Sequence, residues 1–412
     1  MTSIPTATTS ALVARTELLP DGVDLRAAAG DTGLLFCREG AGLAGLGCAL
    51  RIDLPDGLGA ASAADRVASA LAGIEVENSL GLPGSGPVAM GALPFDRSAP
   101  GSLVVPAVTF GRAADGTAWR TVVGDAGFDE PVVVAGRRPP DGFRLTSSMP
   151  HARWCQVVAD TVDAVRSGRF EKVVLARQVV VEANGPILVA DVLERLQALY
   201  PACTVFSIDG FVGASPERLV RRRGSLVESH PLAGTVARSG DPDVDARLAA
   251  GLMASAKDRH EHAVVVDDIA SALAPVCQSL DVPDTPSIVP LRNVSHLGTR
   301  VAGVLASPAP SALALAALLH PTPAVAGTPL ESALEQIAAV EGFPRDRYAG
   351  PVGWVDAAGD GEWVVGIRSA SISGSVALLT AGVGIVADSD PEDELAETQL
   401  KLQALLAAVV RP

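Results

Sequence analysis

The spacing of apolar positions changes along the chain, and each change predicts a different element. Through residue 140, short apolar runs such as LLFCREGAGLAGLGCALRIDL and GSLVVPAVTFG alternate with Gly and Pro turns, which predicts strands. GRRPPDGFRLTSSMP at 136–150 is dense in turn formers and reads as the connection between a first part, 1–140, and a second, 150–412, the two building one structural domain. HARWCQVVADTVDAVRSG then takes up helical spacing, followed by the strand EKVVLARQVVVEA and the helix ILVADVLERLQALY. TVFSIDGFVGASPERLVRRRGSLVESHPLAGTV reads as strands, AKDRHEHAVVVDDIASALAPVC as a helix, and VALLTAGVGIV as a long strand feeding a last helix. Hairpin-like neighbours outnumber βαβ units, so the pattern predicts an α+β fold rather than a doubly wound sheet.

The last helix carries candidate chemistry. In DSDPEDELAETQLKLQALLAAV, Ser389 or Asp390 can cap the start and Pro391 suits the first helical position. Leu395, Leu402, Leu405 and Val409 make a docking stripe. Beside it, Glu394, Glu397 and Lys401 fall within about 60° of one another. Such a face reads either as a solvated salt-bridge row or as part of a hard-metal site. A second helix tips the balance, because Asp258, Glu261, Val265 and Asp268 recur at i, i+3, i+7 and i+10. Two helices with paired acids can supply oxygen ligands to Mg²⁺, an ion that keeps waters for a substrate oxyanion to displace. The HEH within the second helix is not a zinc pair, since His260 and His262 are two apart and point to different faces.

Composition narrows the class. A chain of 412 residues that is 48% hydrophobic but only 4% aromatic buries a large aliphatic core. Its net charge of -15 argues against a nucleic-acid surface. The densest basic run, RRR at 221–223, reads as a strand end or turn. MTSIPTATTSALVARTELLP lacks the basic and apolar regions of a signal peptide, and the longest apolar run, ALALAALL, is too short to span a bilayer. Cys37, Cys48, Cys155, Cys203 and Cys277 read as buried thiols of a reducing compartment, so a cytoplasmic protein without a membrane partner is expected. Gly382-Val383-Gly384-Ile385-Val386-Ala387 matches G-x-G-x-x-A, but DSDP separates it from the following helix, unlike a dinucleotide fold. These glycines read instead as a place where backbone N–H groups approach an anion.

A set of segments then resembles one family. SGPVAMGALPFD (85–96), FEKVVLAR (170–177), FVGASPERLV (211–220), SHPLAGT (229–235), KDRHEH (257–262), VSHLGT (294–299), LHPTPAVAGTP (319–329), YAGPVGW (348–354), GIRSA (366–370), AGVGIV (381–386) and a closing E-x-x-E-T-x-x-x-K occur in this order. Together they are similar to the chorismate-utilising enzymes, which make isochorismate, anthranilate, aminodeoxychorismate or salicylate. The resemblance spans about three quarters of the chain. It implies two large, packed, mainly antiparallel β-sheets with peripheral helices.

The resemblance also implies roles. Glu261 and Glu394 would be the leading Mg²⁺ ligands, with Asp258 and Glu397 completing the shell. Gly234 and Thr235 would assist the metal at the ring carboxylate of chorismate. Arg368, Tyr348, Gly382 and Lys401 would hold the enolpyruvyl carboxylate, and His296 belongs to the site with no assigned role. Lys172 matches a general base that would activate water for attack at ring C2, and a base there should have its pKa lowered. Glu217 matches a general acid for the departing C4 hydroxyl, which requires a raised pKa. Ala233 stands where aminodeoxychorismate synthases carry a nucleophilic lysine, and Ala324 where pyruvate-expelling members usually have threonine. The implied activity is therefore chorismate to isochorismate, with a salicylate synthase or a non-catalytic chorismate-binding subunit as alternatives. Neither a glutaminase subunit nor a second copy is expected, and His320 is read as structural.

Overall fold

A computed structural model describes residues 12–124 and 138–410. Strand after strand pairs with an antiparallel neighbour, and the single parallel pairing among the described residues joins Val13–Leu18 to Glu75–Glu77. Among the described residues one sheet has 13 strands and a second has nine, while a third of three strands joins Leu232–Ala237, Val294–Gly298 and Ser287–Pro290. The α+β expectation and the two large sheets are thus observed. Strands from residues before 124 enter both large sheets: Leu34–Arg38 and Ala41–Leu46 lie in the larger, Val88–Ala92 and Gly101–Val105 in the smaller.

Alternation along the strands decides what lies between the layers. Leu34, Phe36, Phe206 and Phe211 of the larger sheet pack with Val88, Met90, Val352 and Trp354 of the smaller. Their neighbours Leu35, Val205 and Val212 point to the opposite face, where Leu193, Leu196, Leu402 and Leu405 of two helices cover them. Those helices are Val189–Leu199 and Pro391–Val409. Asp390, not Ser389, caps the C-terminal helix by accepting from the N–H groups of Glu392 and Asp393, with Pro391 following. Three acids in its first turn complement the helix dipole. Arg177, buried in the strand Lys172–Ala183, donates to the Thr398 hydroxyl at 2.7 Å and fixes that helix to the sheet.

Several elements differ from their sequence reading. The described residues of 1–140 hold two helices, Leu25–Ala29 and Ala63–Ala72, besides strands. In the second, only Ala63, Val67 and Leu71 are buried, a stripe too narrow to stand out from neighbouring strands. Pro242–Ala254 is a helix capped by Asp241 with Leu252 alone buried, so no apolar period marked it. The connection proposed at 136–150 begins outside the described residues and contains an edge strand, Phe143–Ser147, paired to Lys172–Ala183. That strand is largely solvated, which is why its sequence looks like a linker.

The cysteine reading is corrected too. Cys37 and Cys203 are buried, Cys155 and Cys277 are half-buried, and Cys48 is exposed in a turn; all are free thiols. Arg221–Arg223 close a strand, with Arg218, Arg221 and Arg300 converging on Glu228. No helix among the described residues is long and apolar enough to cross a membrane. The first eleven residues of the segment read for a signal lie outside the described part. Leu405, 1% exposed between the C-terminal helix and the sheet, is the anchor of that contact. Leu405→Ala is expected to cost about 2–5 kcal/mol, read as a lowered denaturant midpoint with an unchanged slope.

Candidate active site

Two long strands make the floor of the site. Lys172–Ala183 and Val376–Ile385 pair antiparallel from Val173 opposite Ile385 to Glu182 opposite Val376. The glycines of the second strand are there for space. A Cβ on Gly384 would stand 2.9 Å from both Glu261 Oε1 and Lys172 Cε, and one on Gly382 would stand 3.0 Å from the Tyr348 hydroxyl. Both glycines also line the cavity, the place at which backbone N–H groups were expected to approach an anion. The glycines admit neighbouring side chains, and the Gly382 carbonyl accepts from Lys401 Nζ at 3.0 Å.

Two helices and the small sheet make the walls. Ser255 caps the helix Ala256–Leu273 by accepting from the Asp258 N–H at 3.2 Å, which sets Asp258 and Glu261 at the cavity while Val265 enters the core. Asp268 is exposed, about 15 Å further along the helix, and takes no part. His262 bonds Thr299 at 2.7 Å inside the protein, while His260 meets Glu171 at 2.9 Å on the surface. From the C-terminal helix come Glu394, Glu397 and Lys401, with Lys401 Nζ 2.5 Å from Glu397 and Lys257 Nζ 3.8 Å from Glu394. Gly234, at φ +72° in a bulge of the small sheet, closes against Asp258, where a Cβ would come within 3.1 Å.

These parts enclose a cavity of about 270 Å³. Every site residue named from the sequence lines it except Lys172. Lys172 is 2% exposed and pairs with Glu261 beside Gly384, its Nζ 2.9 Å from that carboxylate. His320 lies outside the cavity, buried against Phe95, with Nε2 2.9 Å from the Phe95 carbonyl oxygen.

Charge in the cavity is unevenly stabilised. Burial pushes the Glu217 carboxyl up to about 8, even though Lys172, the Leu232 N–H, Lys401 and Arg368 pull the other way. Glu394 rises to about 7 through burial and the adjacent Glu397, and Asp258 is raised by burial with Glu261 and Glu397 adding to it. Burial acts on Glu261 in the same sense, but Lys172 outweighs it and holds this carboxyl below its ordinary range. Tyr348, wholly buried, is pushed up to about 12.

Arg368 and His296 form one unit. Arg368 has φ +50°, an uncommon conformation for a residue with a side chain, of the kind that concentrates at functional sites. Its Nη2 donates to His296 Nε2 at 3.1 Å. The ring proton then belongs on Nδ1, which lies 3.1 Å from the Gly234 carbonyl oxygen and from the Thr235 hydroxyl. Burial, followed by Arg368, pushes the His296 pKa well down and keeps the ring neutral. Arg368 Nη1 is buried with no hydrogen-bond partner among the described residues. A carboxylate suits that open edge of the guanidinium.

Residues 136–410 match the description "chorismate binding enzyme". The chain belongs to the chorismate-binding enzyme family. Among its relatives, isochorismate synthase DhbC of Bacillus subtilis is 39% identical over 338 residues, covering 79% of this chain and 81% of that one. Isochorismate synthase EntC of Escherichia coli is 36% identical over 327 residues, covering 78% and 80%. The structure of MenF, the menaquinone-specific isochorismate synthase of Escherichia coli, superposes with a TM-score of 0.80 at 27% identity, covering 97% of this chain and 95% of that one. Anthranilate synthase component I of Streptococcus pneumoniae, at 20% identity and a TM-score of 0.69 over 98% and 93%, shares the fold.

The residues given roles from the family segments make up most of the cavity's polar lining but not all of it. Lys257 and Asp393 also line it, each adjacent in sequence to an acid already singled out. Beneath the floor, Arg345 pairs with Glu341 at 2.9 Å and donates to the carbonyls of Val174 and Val325, both at 2.7 Å. Glu341 in turn accepts from the Ala176 N–H at 2.7 Å. This buried pair fastens the strand that begins at Lys172 to the loop that carries Ala324. In sequence it is only an i,i+4 acid–base pair, indistinguishable from surface decoration.

The space at Gly384 yields a prediction. A methyl group there meets the mobile ends of Glu261 and Lys172, so the fold can absorb it while the pair shifts. Gly384→Ala is expected to leave the melting temperature within a few degrees, about 1 kcal/mol, and to lower turnover about 10²-fold. Thermal unfolding and product formation, measured on one preparation, check it.

Proposed function

We propose that this chain is an isochorismate synthase, exchanging the C4 hydroxyl of chorismate for one at C2 with Mg²⁺ in the cavity, and so supplying siderophore or menaquinone synthesis. The observation that carries the reading is Glu217: a buried carboxyl held protonated at neutral pH, close enough to Lys172 to feel its charge. An acid and a base are what this exchange needs. Water attacks C2 and gives a proton to Lys172, each ring double bond shifts by one position, and the C4–O bond breaks as Glu217 protonates the departing hydroxyl to water. One water enters and one leaves, so the conversion is reversible and redox-neutral. Lys172 has to part from Glu261 and give its own proton to solvent before the free amine can take the proton of the attacking water.

Chorismate is a dianion, and the cavity does not welcome it unaided. Asp258, Glu261, Asp393, Glu394 and Glu397 face Lys257, Arg368 and Lys401. The acids fit a hard cation: their oxygens stand as pairs on two helices, and burial and mutual repulsion raise Glu394 and Asp258. Among the described residues no three His, Cys, Asp or Glu side chains are grouped so that they alone could hold a metal ion, so this reading requires water and a substrate oxygen to complete the shell. In our reading Glu261 and Glu394 hold Mg²⁺, with Asp258 and Glu397 completing the shell. Bound there, the ion supplies positive charge for the ring carboxylate. Gly234 and Thr235 border the same carboxylate. Arg368, oriented by His296, takes the enolpyruvyl carboxylate together with Tyr348 and Lys401. Ala233 offers no amine for a covalent adduct, and Ala324 no hydroxyl beside the enolpyruvyl arm. With water as nucleophile, the chain needs no glutaminase partner, and we read it as acting alone.

Liquid chromatography and mass spectrometry of chorismate incubated with the protein test this directly. A chorismate isomer is expected with Mg²⁺, none after chelation, and no change on adding ammonium. Salicylate with pyruvate, or an aminated product, would overturn the reading. Lys172→Ala and Glu217→Gln should each lower turnover about 10²–10⁴-fold. The pH profile has a definite sign. Glu217 carries its proton below about 8 and loses it above, so turnover should fall as pH rises through about 8.

A further inference from the structure

The first floor strand, Lys172–Ala183, is paired along nearly its whole length on one edge only. Against Val376–Ile385 the ladder runs unbroken from Val173 to Glu182. On the other edge two short partners leave a gap among the described residues. Gly327–Thr328 covers Lys172 and Val173, with the Ala326 carbonyl accepting from the Val174 N–H at 2.8 Å. Phe143–Ser147 takes up the pairing only at Val179. Between them, the Val174 carbonyl accepts from Arg345 Nη2 at 2.7 Å, and the Ala176 N–H donates to Glu341 Oε1 at 2.7 Å. One donor and one acceptor, set against backbone groups two residues apart, are what a neighbouring strand would have offered. The buried ion pair stands in for that strand.

The same guanidinium reaches two further walls of the cavity. Its Nη1 donates to the Val325 carbonyl at 2.7 Å, one residue beyond Ala324. Its Cζ lies 4.5 Å from the Phe95 ring centroid and 5.9 Å from that of Tyr348. The Arg345 carbonyl also accepts from the Tyr348 N–H at 2.8 Å, so guanidinium and phenol belong to one turn. A buried ion pair adds little net stability once both charges are desolvated, so what this one contributes is geometry. We propose that Arg345, oriented by Glu341, is a positioning residue for the reaction, fixing the Lys172 end of the floor strand, the Ala324 loop and Tyr348 relative to one another. The inference rests on the proposed isochorismate synthase activity and adds a residue that acts without touching substrate.

Two variants of the pair and a control test it. Arg345→Lys keeps the charge but not the planar fork, and Glu341→Gln keeps an oxygen for the Ala176 N–H but not the ion pair. Leu71→Ala, in the buried stripe of the helix Ala63–Ala72, loosens the fold elsewhere. Turnover of chorismate is measured well below each melting temperature. The expected kcat is about tenfold to a hundredfold lower in Arg345→Lys and about threefold or more lower in Glu341→Gln. KM should stay within about threefold, because Arg368 and Lys401 sit on other elements. Leu71→Ala should keep the wild-type kcat. A second readout does not use activity: the chain has two tyrosines, Tyr200 and Tyr348, so 3-fluorotyrosine labelling gives resonances that Tyr200→Phe assigns. The Tyr348 resonance should shift or split in Arg345→Lys and stay in place in Leu71→Ala. Wild-type kcat in both pair variants, or the same fall in Leu71→Ala, overturns the proposal. Failure of the activity reading looks different: wild type would then form no chorismate isomer, while the fluorine resonance would still respond to Arg345→Lys.

Discussion

A buried ammonium has to be neutralised where it sits, and much of this site follows from satisfying Lys172. Desolvating an ion costs several kcal/mol, recovered only by a partner in good geometry. The partner is Glu261 at 2.9 Å, and it reaches Lys172 only because the helix starting at Ala256 docks with its first turns over the floor strands. That approach in turn demands Gly384 in the facing strand, since a side chain there would occupy the same space. Strand register, helix cap and glycine are thus one constraint. Glu341 and Arg345 fix the same strand from below through Val174 and Ala176.

Around this pair the cavity separates charge by role. Glu217 is kept neutral by burial, Glu261 is kept charged by Lys172, and Glu394 and Asp258 are left with raised pKa values because burial and other acids surround them. Identical carboxyl groups acquire different tasks from their neighbours alone. The Arg368 end works in the opposite sense. A strained backbone and a neutral His296 hold a guanidinium with one buried edge open, so the cost of desolvating it is met before any anion arrives.

What could be read from sequence follows the strength of local periodicity. The floor strands and the C-terminal helix have long, regular apolar patterns, and their bounds fall within a residue or two of those observed at Lys172–Ala183, Val376–Ile385 and Pro391–Val409, whereas the other walling helix, read through Cys277, ends at Leu273 and Cys277 opens a strand. Pro242–Ala254 and Phe143–Ser147 bury too little to leave a pattern. Most of the cavity was legible because chemical groups in a fixed order carry it. Two things were not: the side chains for which the glycines of AGVGIV make room, and the pairing of Lys172 with Glu261. Both have one source, since sequence names a strand residue without saying what packs against it from another element. The space beside Gly384 and the contact at Glu261 exist only once the helix is docked.

Fold alone would not have fixed the chemistry. The two-sheet scaffold serves several reactions on one substrate, and its core of alternating aliphatic residues says nothing about which nucleophile arrives. The choice lies in how a few side chains are exposed. On the proposed reading, a protonated Glu217 lets the C4 hydroxyl leave as water, Ala233 offers no amine for a covalent route, and Lys172 becomes useful only once it has parted from Glu261. The specificity of such a site is therefore set as much by the neighbours of its reactive groups as by the groups themselves. A lysine left unpaired in the cavity would compete for the substrate's own carboxylates, whereas one paired with Glu261 is held in place until the pair is broken.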